Sequence, residues 1–130
     1  MPWGFSMSST YGGPSNTLAA LQDGSSMTGA ATYGSTGDNF IEMTAPCPTT
    51  VSSVRIRQMA YEAPGTWGAQ YTNSSFFQYY DGSAWQTLFT VSGLTDNGPL
   101  TTFNFPEVTA TKFRLYRDSD YAAAGELYIP

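Results

Sequence analysis

One run constrains this chain more than any other: Phe76-Phe77-Gln78-Tyr79-Tyr80, then Asp81-Gly82-Ser83, then Ala84-Trp85-Gln86-Thr87-Leu88-Phe89. Aromatic segments on both sides of an Asp-Gly turn read as an antiparallel hairpin, because Asp-Gly supplies the positive φ angles that a tight reversal needs. Other segments repeat the pattern. Asn39 to Met43 alternates as a strand, and Val51 to Gln58 alternates more clearly, with Val51, Val54 and Ile56 on the buried side and Arg55 and Arg57 on the opposite face. Gln70 to Tyr80 and Ala84 to Val91 are the two arms of the hairpin. Thr101 to Phe105 places Phe103 and Phe105 inward, and Pro106 ends that strand. Lys112 to Arg117 follows, with Phe113, Leu115 and Tyr116 near the core, and Gly125 to Ile129 closes the chain. No helical period exceeds two turns. Short strands separated by turn signals define an all-β protein, an antiparallel β-sandwich or jelly roll.

The chain has 130 residues, room for one domain and a sizeable core without disulfides. Residues 1–16 are rich in Ser, Gly and Pro around Trp3, Phe5 and Tyr11, and are expected to form an interaction arm that orders against a neighbour or the domain flank. Residues 17–130 form the sandwich. Charged residues make up 12% of the chain, about half of ordinary usage. Solubility therefore rests on Ser, Thr, Asn, Gln and Gly, a surface style common to extracellular and virion-exposed β proteins. The N-terminal sequence has neither the basic nor the apolar region of a secretory leader, so cytoplasmic synthesis without export is expected. Release with a virus particle reconciles the two observations, and a domain cut from a longer secreted protein reconciles them equally.

Several function classes are excluded. A net charge of −5 with five basic residues leaves no footprint for neutralising phosphates, so nucleic acid is not a partner. No stretch approaches the ~20 apolar residues of a membrane span, so membrane insertion is not expected. Histidine is absent, and the single cysteine, Cys47, sits between Pro46 and Pro48 as a small residue filling a turn. Asp118 and Asp120, two apart on one loop, do not give the opposed carboxylates of glycoside hydrolysis. The chain reads as a non-enzyme.

Six segments in order carry a family likeness: Ala19 through Asp23-Gly24 to Thr28, Asn39 to Met43, Val51 to Ile56, Tyr80-Asp81-Gly82-Ser83-Ala84-Trp85, Ala110 to Leu115, and Glu126-Leu127-Tyr128-Ile129. Together they resemble the discoidin or coagulation factor 5/8 C-type domain of the galactose-binding-like superfamily, over roughly residues 17–130. Thr44-Ala45-Pro46 replaces the usual Asp-Leu-Gly, and the paired cysteines of many extracellular members are missing, which implies a distant microbial or bacteriophage relative.

The resemblance implies a galactose-binding-like jelly roll, with Trp85 packed inward. It implies a structural Ca2+ held by Asp23, Thr28 and Glu126, hard oxygen donors that would tie the first loop to the last strand. It also implies a ligand site in the end loops, where Tyr33, Trp67, Tyr71, Asp118, Asp120 and Tyr121 supply rings for a sugar face and polar groups for its hydroxyls. Such rings equally suit a protein neighbour. Two functions follow as expectations. The first is a virion structural or decoration protein, a bacteriophage capsid or tail component located in the virion, homo-oligomeric and bound to other virion proteins through its arm. The alternative is an extracellular carbohydrate-binding module recognising a cell-surface glycan through the end loops.

Overall fold

Two long strands organise the chain. The computed structural model describes residues 3–7, 30–31, 37–57, 72–94, 100–118, 123–124 and 126–129. Its strands are β1 (Gly4–Met7), β2 (Ala30–Ala31), β3 (Asp38–Arg57), β4 (Phe76–Tyr80), β5 (Trp85–Thr90), β6 (Thr101–Asp118), β7 (Ala123–Ala124) and β8 (Glu126–Tyr128). The main sheet runs β1-β3-β6-β4-β5, with β8 also pairing β3, and β2 pairs β7 separately. All pairings are antiparallel. This is an all-β fold of antiparallel sheets, a β-sandwich.

The two strands expected at Asn39–Met43 and Val51–Gln58 are one strand, β3, and Pro106 does not end its partner, β6. Bulges are the reason. Against β6, the register of β3 jumps from Thr44 paired with Lys112 to Thr49 paired with Ala110, and from Val51 paired with Val108 to Ser53 paired with Asn104. Pro46 and Pro48 fall in the first irregularity and Pro106 in the second, where a missing N–H costs no ladder bond. Cys47 is exposed in the first. The second bulge also shifts which alternate residues of β3 face inward. On β3 the buried positions pass from Ile41, Met43 and Val51 to Val54 and Ile56. Val51, Val54 and Ile56 are buried as expected, while Arg57 is buried too and Arg55 only half-buried.

One core joins both halves of these strands. Phe77 of β4 lies 5.8 Å from Phe105 on the first half of β6 and 6.0 Å from Phe113 on the second, ring centre to ring centre. Phe89 of β5 stacks on Phe103 at 4.9 Å. Strands that change layer at bulges form the corners of such sandwiches.

The hairpin forms with Tyr80 opposite Trp85. Gly82 takes a φ of 104°, and Asp81 Oδ1 accepts from the Ser83 and Ala84 amides at 2.8 and 2.9 Å. Those backbone bonds, with one from Gln86, hold the Asp81 carboxyl below its ordinary value. The first arm is shorter than expected, since residues 72–74 form a turn and the strand starts at Phe76.

Trp85 is not a core residue. A shift between Phe77 paired with Phe89 and Gln78 paired with Thr87 leaves Leu88 as an extra residue. Without it, Trp85, Thr87 and Phe89 would share a face; with it, Phe89 packs against the core from the inner side while Trp85, also half-buried, lies on the outer side. Tyr116, expected near the core, also faces outward, two positions on from the outward Arg114 and flanked by the buried Leu115.

Candidate functional site

Period-two alternation places every second residue of β3, β6, β4 and β5 on one outward face. The register arranges them in rows: Asp38 with Asp118; Phe40, Tyr116 and Phe76; Glu42, Arg114, Gln78 and Thr87; then Thr44 and Lys112 beside Tyr80 and Trp85. Aromatic, amide, hydroxyl and charged groups thus meet on a scaffold of four paired strands. Phe76 is 37% exposed, unusual for a phenylalanine in a sheet.

Arg114 is the centre of this face. Its guanidinium carbon sits 4.1 Å from the Trp85 ring centre, 4.4 Å from Tyr116 and 5.7 Å from Phe40. Contacts of this kind contribute from about 0.5 kcal/mol when exposed to about 2 kcal/mol when desolvated. Its Nε donates to Gln78 Oε1 at 2.7 Å, and Gln78 Nε2 donates in turn to Thr87 Oγ1 at 3.0 Å. That relay fixes both the amide and the guanidinium plane, and Gln78 is only 8% exposed beneath it. Burial pulls the Arg114 pKa below its ordinary value, countered by Tyr116, Asp38 and Glu42. It remains a cation, as arginine does in proteins.

A second polar pair borders it. Tyr116 Oη donates to Asp38 Oδ1 at 2.6 Å, and this bond is the main reason that the phenol is pushed up to about 12. Lys112 lies 5.8 Å from the Tyr80 ring, which itself packs against Trp85 at 5.3 Å. Cations therefore line β6 while Asp38 and Glu42 line β3.

Of the residues expected to bind ligand, Asp118 is exposed at the end of β6, opposite Asp38, and so borders this face. Tyr33, Trp67, Tyr71, Asp120 and Tyr121 lie outside the described residues, as do Asp23, Thr28 and Tyr11. Glu126 is in β8 opposite Arg57, its side chain not among those described. Among the described residues no group of three or more acidic, histidine or cysteine side chains is placed to hold a metal. In the arm, β1 pairs with β3, Trp3 meets Phe113 edge-on at 5.8 Å, and Phe5 packs against the core.

No family model matches the sequence, and no curated protein sequence matches it. Solved structures do match. A family 32 carbohydrate-binding module from Clostridium perfringens NanJ, in complex with galactose, aligns with a TM-score of 0.71 and 15% identity, over 98% of this chain and 92% of that one. An F5/8 type C domain from Bacteroides fragilis aligns at 0.72 and 18% identity, over 98% and 89%. A chitosan-binding module from a Paenibacillus chitosanase/glucanase aligns at 0.67 and 20% identity, over 98% and 93%. Likeness at these identities establishes the fold, in agreement with the discoidin-type motifs.

The Arg114 cluster is absent from the residues that the sequence singles out. Its signal is present nonetheless: Phe76, Gln78 and Tyr80 alternate with Phe77 and Tyr79, and Lys112, Arg114 and Tyr116 alternate with Phe113 and Leu115. Two aromatic-polar stripes, each on the back of a core stripe, mark an outward face that is not ordinary solvent-facing sheet.

Proposed function

We propose that this chain is a non-catalytic carbohydrate-binding module that recognises a glycan with the outward face of β3, β6, β4 and β5. The observation that carries this reading is the guanidinium of Arg114, fixed between Trp85 and Tyr116 and bonded to Gln78. Sugars present weakly apolar C–H faces beside hydroxyls, and a pavement of rings interleaved with fixed donors and acceptors matches both. The fold's likeness to modules solved with galactose supports the same reading. Tyr33, Trp67, Tyr71, Asp120 and Tyr121, which the family likeness implies lie in end loops, are the other candidate set. Binding to a broad glycan panel, compared for wild type, Trp85→Ala and Trp67→Ala, tests the assignment. Loss in Trp85→Ala with retention in Trp67→Ala supports the sheet face, and the reverse moves the site to the loops.

The virion-component reading rests on the N-terminal arm as a contact for neighbours. Trp3 and Phe5 pack instead on this domain's own core, which favours the glycan reading. A structural calcium at Asp23, Thr28 and Glu126 is part of the proposal, tested by whether calcium raises the Tm of the wild type and not of Asp23→Asn.

A further inference from the structure

We infer that the ligand is an acidic sugar, whose carboxylate seats on the two Nη groups of Arg114. This inference rests on the glycan-binding reading and specifies the chemistry of the same face. Three observations lead to it.

The first is what Arg114 leaves unused. Its Nε is committed to Gln78, and its two Nη groups bond to no described residue. Of the remaining four N–H donors, one from each Nη points along the far end of the guanidinium plane, a fork that matches the two oxygens of a carboxylate. The Gln78–Thr87 relay and the flanking rings hold that fork in place before any ligand arrives, so little side-chain freedom is lost on binding.

The second is that no described acid bonds directly to the Arg114 guanidinium. Glu42 stands directly opposite Arg114 in the register, yet no described residue forms an ion pair or hydrogen bond with its carboxylate. The Arg114 side chain reaches the other way, to Gln78 on β4 and Trp85 on β5. Asp38 is engaged by the Tyr116 hydroxyl. A half-buried guanidinium that feels Asp38 and Glu42 through space but bonds to neither leaves its Nη end open to a carboxylate.

The third is the distribution of charge across the face. Lys112 sits one row from Arg114 on the same strand, about 7 Å along β6. The two cations make one end attractive to a carboxylate, while Glu42 on β3 is placed to accept from sugar hydroxyls. The net charge of −5 opposes a dense polyanion. A sugar with a single carboxylate among neutral hydroxyls satisfies both constraints.

The test uses the full chain and matched pairs of ligands: sialyllactose, oligogalacturonate and oligomannuronate, each beside the same sugar with its carboxylate reduced to the primary alcohol. Affinities are measured by calorimetry for wild type, Arg114→Gln, Lys112→Gln and Glu42→Gln, with circular dichroism to establish folding. Wild type is expected to bind at least one acidic form about tenfold or more tightly than its reduced partner. Arg114→Gln erases that preference, Lys112→Gln lowers it a few-fold, and Glu42→Gln raises affinity for the acidic form. Equal binding of acidic and reduced forms by wild type overturns the inference and leaves the glycan reading standing. A preference that survives in folded Arg114→Gln also overturns it. Folded wild-type protein that binds no sugar, acidic or neutral, in these pairs or in the broad panel overturns both readings. Should Arg114→Gln fail to fold, the wild-type pair comparison and the exposed Lys112→Gln decide the matter alone.

Discussion

The two faces of the β3–β6–β4–β5 sheet are built from alternate residues of the same strands, and both are rich in aromatic rings. Inward, Phe77 and Phe113 stack 6.0 Å apart with Ile41, Met43 and Leu115, all fully buried. Outward, Phe40, Phe76, Tyr80, Trp85 and Tyr116 share their face with Arg114, Gln78, Lys112, Glu42 and Asp38. The inner rings gain from removal from water. The outer ones form a polar, partly wet array whose geometry is held by hydrogen bonds. Aromatic content alone does not separate a core from a recognition surface; the polar groups interleaved with the rings do.

That contrast is open to attack by substitution. Phe113→Ala on the inner face is expected to cost about 3–5 kcal/mol and to lower Tm steeply, as loss of a fully buried ring does. A comparable loss from an outer ring would break the distinction. Deleting residues 1–16 removes β1 and the Trp3–Phe113 contact, so thermal unfolding should show a lower Tm; an unchanged Tm would return the arm to a role outside the domain. Trp85→Ala removes a half-buried ring and its cation contact, which on stability is about 0.5–2 kcal/mol, while glycan binding is lost.

The smallest expected effects lie in titration. Tyr116 is raised to about 12 from 10.0, principally by its bond to Asp38. Its contribution to stability is complete below pH 10 and is lost as pH rises through about 12. Tyrosinate absorbance should show a late phase that moves back toward 10 in Asp38→Ala. Asp81 has the opposite sign: its contribution is present above 3.8 and is lost as pH falls through its lowered value, which amide shifts of Ser83 and Ala84 report.

The all-β class, the Asp81-Gly82 hairpin and the burial of Val51, Val54, Ile56, Phe105, Phe113 and Leu115 were legible because each depends on local alternation and turn chemistry. Strand continuity was not. Pro46, Pro48 and Pro106 carry the signal of strand ends, and only the partner strand shows that bulges absorb them. The same limitation hid the site. The family likeness places Trp85 inward, and the extra residue Leu88, visible only in the pairing with β4, turns it outward. Arg114 reads as an ordinary exposed cation on β6, since Gln78 and Trp85 come to it from 36 and 29 residues earlier in the chain, neighbours that only the sheet order supplies.

The most direct test is a nuclear magnetic resonance titration of the labelled protein with the tightest glycan from the panel, following backbone amides, the three indole N–H groups and the Arg114 Nε–H. The largest shifts are expected at Gln78, Trp85, Arg114 and Tyr116, with residues 60–71 little changed. Shifts concentrated at Trp67 and Tyr71, with Trp85 and Arg114 silent, would contradict the sheet-face assignment and move recognition to the end loops.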